Sequence, residues 1–452
     1  MEEEEPFARG EAAMEEEENS HLSDDEMEEN RWIEEMDWLV SQAIENHRDG
    51  SNDLSAIRRL VDSRDVNRAS EAGLTALHHA CSSGKVDIVR YLVEECHADT
   101  TCETPHTEET PFFWAVASGH LAVARYMLQS EGLRQKKHFF LHHRNYLGQF
   151  PLLFACRYSG PSSLYLVQLL VHEGRSLRKP ISLLCVDDAY RTPLHYACGD
   201  PYFEYGHDDE WSHIPTDTPG QGSLEVVQWL IHELQQRHPV DFDEKDPAFD
   251  IDACTDENGV TPLAVACANG NLSIVQYLVE HVGASIAVMD KSPMCNLLHY
   301  ICIGESGSMD RASAVLEYIL DMHEKKENKD SFLPEQNQSD DEKCSIGPPS
   351  RRRQLLETPD RHGNTPLILT VMHQQFDLAE YILTKYSVST KTRNNKGLTA
   401  WDLANELVEY EDGIAQDHRP ATSLFARRQT ALQQRWDLVQ YLVAQKLLVV
   451  PK

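Results

Sequence analysis

The chain has 452 residues and a net charge of −33, from 74 Asp and Glu against 41 Lys and Arg. That balance argues against a nucleic-acid or anionic-membrane partner and permits basic protein partners. No apolar run is long enough to span a bilayer, and eleven cysteines, an odd number in no disulfide-like pattern, read as reduced thiols.

Residues 1–30 hold 14 acids against one arginine, a net of −13, and are expected to be a disordered acidic tail. The opening Met1-Glu2-Glu3-Glu4-Glu5 is no secretory leader, so cytoplasm or nucleus is the expected compartment. From residue 31 the pattern changes. Trp32, Met36, Leu39, Val40 and Ala43 sit at helical spacing, then Leu54, Ile57, Leu60 and Val61, and 31–68 reads as a capping repeat.

From 69 to 450 one unit recurs. Its clearest copies of the first helix begin Thr192-Pro193-Leu194-His195-Tyr196-Ala197-Cys198 and Thr261-Pro262-Leu263-Ala264-Val265-Ala266-Cys267. Others begin at Thr75, Thr110, Thr365 and Thr399, with degenerate copies at Phe150 and Asn296. Threonine can cap the free amides, and proline fits the first helical position, where its missing N–H costs nothing. Glycine at Gly84, Gly119 and Gly270 ends that helix. A second helix follows, as in Val86-Asp87-Ile88-Val89-Arg90-Tyr91-Leu92-Val93, with its apolar residues on one stripe. An Asp/Asn-x-x-Gly turn joins units, as at Asp256–Gly259, Asp360–Gly363 and Asn394–Gly397. Glu108 and Tyr190 replace the turn glycine twice, so those two turns are expected to be distorted.

Equivalent positions are 35, 40, 42, 69, 35, 69 and 34 residues apart. The long gaps place insertions at 199–222, inside a unit, and at 321–359, a loop expected to be disordered over 324–355; 407–434 splits the last unit. Ser23 and Ser339 each precede Asp-Asp-Glu and are candidate phosphorylation sites for an acid-directed kinase. Arg351-Arg352-Arg353 is a short basic run of the nuclear-signal kind.

These units resemble ankyrin repeats, whose period is about 33 residues. The resemblance implies an all-α solenoid of helix-turn-helix units joined by β-hairpin-like turns. It implies that the helix-one histidines, His78, His195 and His299, bond between neighbouring units rather than hold a metal. It also implies a protein partner met along the concave side, by turn tips and the ends of first helices. On that basis Tyr146, Arg157, Tyr158, Met372 and His373 are candidate contacts. Tyr202, Phe203 and Trp211 in the acidic, aromatic 199–222 insertion join them.

No Gly-rich phosphate loop, nucleophile elbow, Cys-x-x-Cys pair or zinc-protease motif occurs, so no catalytic residue, cofactor or metal site is expected. The expected function is a monomeric, non-enzymatic interaction scaffold. The alternatives are an acidic chaperone or decoy for basic proteins acting through the tail, and a substrate-recruiting subunit of a ubiquitin-ligase or kinase complex.

Overall fold

A unit that buries its stripe only against its neighbours must repeat to be stable. The computed structural model describes residues 66–69, 73–199, 222–236, 249–287, 289–291, 294–304, 308–330 and 351–404. Residues 1–30, nearly all of the 31–68 cap, the 407–434 insertion and the interior of 199–222 lie outside these. Among the described residues all regular structure is helical, apart from one isolated antiparallel bridge between Ala69 and Thr75.

The chain divides into two compact units, 1–155 with 168–181 and 210–216, and 156–167 with 182–209 and 217–452. In the first, helix pairs α1 (Ala76–Ser82) and α2 (Val86–Glu94), then α3 (Pro111–Ala117) and α4 (Leu121–Gln129), pack in series. A 3₁₀ turn at Glu131–Lys136 and α5 (Lys137–His142) follow. Helices α6 (Pro151–Arg157) and α7 (Ser163–Arg175) each contribute residues to both units.

In the second unit the pairs are α8 (Pro193–Cys198) with α9 (Leu224–Gln236), and α10 (Pro262–Ala268) with α11 (Leu272–Tyr277). Then come α12 (Leu297–Ile303) with α13 (Met309–Asp330), a short α14 (Arg351–Leu356), and α15 (Pro366–Met372) with α16 (Phe376–Tyr386). Thr110 and Thr261 cap their helices through the N–H of Phe113 and Ala264, with proline next in line. The core is the stripe the sequence marks: Leu77, Val89, Leu194, Val227, Leu263, Val275 and Leu367 are buried.

Three differences from expectation have physical causes. First, the turn at Tyr190 is not distorted, with Asp187 N–H on the Arg191 carbonyl as Asp256 N–H is on Val260, whereas the turn at Glu108 is one residue longer, with Thr104 N–H on the Glu109 carbonyl. Both residues take the left-handed backbone of the glycines they replace, φ 54° and 62° against 91° at Gly259 and 78° at Gly363. Neighbouring hydrogen bonds outweigh the local steric cost, which is about 1 kcal/mol or a little more for such a residue. Second, 321–359 is not a loop throughout. Helix α13 runs on to Asp330 because 321–330 contains Glu, Lys and Met and neither glycine nor proline.

Third, α14 lies inside the segment expected to be disordered, with Leu356 buried beneath it. Arg352 ties it to α13 by ion pairs of 2.7 Å to both Asp321 and Glu324. Arg353 pairs with Glu357 at 2.9 Å. Two of the three arginines in the basic run therefore serve the fold.

The 199–222 insertion leaves the repeat's own turn intact. The Ser223 amide donates to the Ala197 carbonyl at 2.9 Å, as His120 does to Ala115 and Asn271 to Ala266. Gly222 has φ 63°, and a Cβ there would sit 2.8 Å from the Cys198 carbonyl oxygen. Only glycine closes this junction.

Leu194→Ala and Leu263→Ala should each destabilise the protein by about 2–5 kcal/mol, read from denaturant unfolding. Arg352→Ala should speed amide exchange across 351–356 and leave exchange in α15 unchanged, because the tie it breaks is local to α13 and α14.

Candidate interaction surface

Packing apolar stripes together leaves the polar backbone at every hairpin and helix end to be satisfied. Three recurring devices do this. The first is the helix-one histidine. Thr75 N–H donates to His78 Nδ1 at 3.1 Å, and Thr192 N–H to His195 Nδ1 at 3.1 Å. Because Nδ1 accepts, the proton sits on Nε2, which donates to the next hairpin: to the Glu109 carbonyl from His78 at 3.3 Å, and to the Val260 carbonyl from His195 at 3.0 Å. His299 accepts from the Asn296 N–H at its own helix start in the same way, but its buried Nε2 has no hydrogen-bond partner among the described residues, so the bond expected to the neighbouring unit is not made there. Burial lowers the pKa of His78 and of His195 to about 4 in each case, so both are neutral.

The second device is the residue that opens helix two. His120 Nε2 donates to the Ser82 carbonyl at 2.6 Å and Asn271 to the Cys198 carbonyl at 2.7 Å, each at the end of the preceding repeat's first helix. Gln375 does the same to the Gly304 carbonyl. The third is the hairpin. Its leading Asp or Asn accepts from backbone amides across the turn, as Asp187 does from Arg191 at 2.7 Å and Asp360 from Asn364 at 2.7 Å. The tips then join: Glu257 N–H donates to the Ala189 carbonyl at 3.0 Å, Lys291 to Asn258 at 2.9 Å, and Asn395 to His362 at 2.8 Å. Burial raises the carboxyl pKa of Asp187, Asp256 and Asp290 in this layer.

These ties hold the outward side chains on a fixed frame. Tyr146 stands at a tip of the first unit, 43 % exposed, with its amide bound to the Thr107 carbonyl. Arg157 ends α6 and Tyr158 follows it, both half-buried and both in the second unit. Met372 and His373 are exposed at the end of α15, also in the second unit. Tyr202, Phe203, Trp211, Ser23 and Ser339 lie outside the described residues.

Three further histidines lie on and just after α5. His138 and His142 stack at 4.3 Å, and His143 Nε2 bonds the Glu108 carbonyl at 2.8 Å. Cys81, Cys156, Cys198, Cys267 and Cys302 are fully buried, and burial pushes their thiols up and out of reactivity.

Sequence reasoning missed other exposed residues on the hairpins of the second unit: Tyr190, Met289 and Met294. The signal for Tyr190 was present as a turn without its glycine. Also missed were tyrosine-to-glutamate ties between successive second helices, Tyr126 to Glu94 at 3.1 Å, Tyr318 to Glu280 at 2.9 Å and Tyr381 to Glu317 at 2.6 Å. They draw no signal from hydrophobic period, because they lie off the stripe.

A family model described as ankyrin repeats (3 copies) matches residues 41–138 and 219–330. The chain carries ankyrin repeats. No curated protein matches it. Ankyrin repeats mediate protein–protein interaction and are typically non-enzymatic modules. No helix among the described residues is long and apolar enough to cross a membrane.

The buried groups of this ankyrin layer set a pH profile. His78 and His195 cannot take up the protons that an unfolded histidine takes near 6.5. Their contribution is complete above that pH and is lost as pH falls towards about 4, by up to about 3 kcal/mol each. Glu109 has the opposite sign: burial raises its pKa from 4.5 to about 7, so ionising it weakens the fold as pH rises through that range. Glu109→Gln should therefore melt higher than the parent at pH 8, with the difference vanishing towards pH 4.5 in thermal unfolding.

Proposed function

We propose that the chain is a non-enzymatic scaffold that binds a partner protein through the hairpin tips and first-helix ends of its ankyrin repeats. The observation that carries this reading is the backbone ladder between hairpin tips, which holds their outward side chains on a fixed frame. Binding to a preformed row costs little ordering entropy. Tyr146 in the first unit, and Arg157, Tyr158, Met372 and His373 in the second, are the contacts proposed, since Tyr and Arg are enriched where interfaces draw their energy. The insertion bearing Tyr202, Phe203 and Trp211 adds to this surface, because its junction leaves the repeat turn undisturbed. Cytoplasm or nucleus is the compartment that suits its reduced thiols.

The test is affinity purification with mass spectrometry on the full chain, on a chain lacking 1–30, and on Arg157→Ala/Tyr158→Ala/Met372→Ala. Partners kept without the tail and lost by the triple variant are the expected result. Partners lost with the tail and kept by the variant would move binding to the tail and overturn the reading.

A further inference from the structure

The charge on the outward hairpin surface of the second unit runs against that of the chain. On its earlier tips the exposed charges are acidic, Asp188 and Glu257. On the three later ones they are basic. Lys291 is exposed on the 290–295 hairpin and Arg361 on the 360–364 hairpin. Lys391 is exposed on the approach to the 394–398 hairpin and Lys396 at its tip.

The acids these hairpins do contain, Asp290 and Asp360, are buried and spent on backbone amides. Arg393 is answered by Asp402 at 3.5 Å. Lys291, Lys391 and Lys396 have no ion pair among the described residues. The last two tips are locked together, with Asn395 N–H on the His362 carbonyl at 2.8 Å and Asn395 Nδ2 on the Arg361 carbonyl at 2.9 Å.

Beside these cations stand two methionines, Met289 at 46 % and Met294 at 50 % exposure, flanking the buried Asp290 of one hairpin. Met294 is held at φ 53°, where its backbone is costly and glycine would be free. That backbone closes the turn, as at Glu108 and Tyr190, but the turn does not need two exposed methionines, whose flexible apolar side chains suit an adaptable contact.

We propose that this ledge, formed by Met289, Lys291 and Met294 and by the hairpins at 360–364 and 394–398, binds an acidic segment of a partner protein that also carries an apolar side chain. Carboxylates of that segment meet Lys291, Arg361, Lys391 and Lys396, and the apolar side chain packs on Met289 and Met294. The net charge of −33 repels such a segment from the rest of the surface and directs it to this row. The proposal rests on the scaffold reading above and assigns one surface a partner chemistry opposite to the basic one that the composition suggests.

The experiment uses the full chain and three fluorescent peptides of equal length: Glu with Leu, Glu with Ser, and Lys with Leu. Anisotropy should show the Glu/Leu peptide binding most tightly, the Glu/Ser peptide several-fold more weakly, and the Lys/Leu peptide unaffected by changes on the ledge. Lys391→Glu/Lys396→Glu should weaken the Glu/Leu peptide at least tenfold, and Met294→Ser a few-fold, with unchanged thermal melts. Raising salt from about 0.05 to about 0.3 M should weaken it too, since the charges are exposed.

No binding of the Glu/Leu peptide, or binding indifferent to the charge reversal, overturns the proposal. So does self-association abolished by that reversal, which would make the occupant a second copy of the chain. Partners captured through Arg157, Tyr158 and Met372 would survive such a failure, so the two readings fall separately.

Discussion

A neutral imidazole with a donor on one side and an acceptor on the other is the constraint on which the repeats turn. His195 spends Nδ1 on its own helix start and Nε2 on the Val260 carbonyl of the next hairpin. One side chain thereby sets the helix cap, the tautomer and the register of the following repeat. The same atom pattern at His78 spans 31 residues of sequence, so each repeat is measured against its neighbour rather than against a common centre. Leaving either end unmade would orphan a buried amide or carbonyl, at about 1–3 kcal/mol.

That constraint explains what varies. The helix-one histidine is absent from the units at Thr110, Thr261 and Thr365; a threonine side chain caps the first two helices, and in all three units the residue that opens helix two reaches back to the end of the preceding first helix. Any device that satisfies the same carbonyl will serve, which is why His120, Asn271 and Gln375 are chemically different and geometrically equivalent. The insertion follows the same logic. Additional chain is tolerated where the Ser223 amide still finds Ala197, and the cost of closing a longer loop grows only slowly with its length.

The helices and their caps were legible in the sequence because Thr-Pro, Gly and a four-residue apolar period each have a local physical cause. At Tyr190 a local rule favoured distortion, and the hydrogen bonds of its hairpin and of the next tip overrode it, while at Glu108 the hairpin takes in one more residue. The continuation of α13 was illegible because a polar stretch rich in Glu and Lys is equally suited to a solvated loop and an exposed helix. In the fold the helical propensity of that stretch is realised, and Arg352, 28 residues beyond Glu324, closes on its carboxylate. The candidate surface was legible only as positions. Which tips are acidic and which basic can be read from the sequence, but that Asp290 and Asp360 are buried and turned to backbone amides requires the fold.

The burial of those aspartates carries a further consequence. In an acidic chain a basic ledge cannot arise merely by adding lysines, since nearby carboxylates would pair with them and hold them down. It arises where the carboxylates are taken out of solvent by the hairpin itself. Asp360 accepts the His362 amide at 2.8 Å and the Asn364 amide at 2.7 Å, so its charge faces inward to the turn. On these later hairpins folding thus sorts the charges by role: the leading acids are consumed by backbone donors, and the bases project to solvent. A fold made of such hairpins can present a cationic edge while its net charge stays strongly negative, and the partner chemistry at that edge need not follow the composition of the chain.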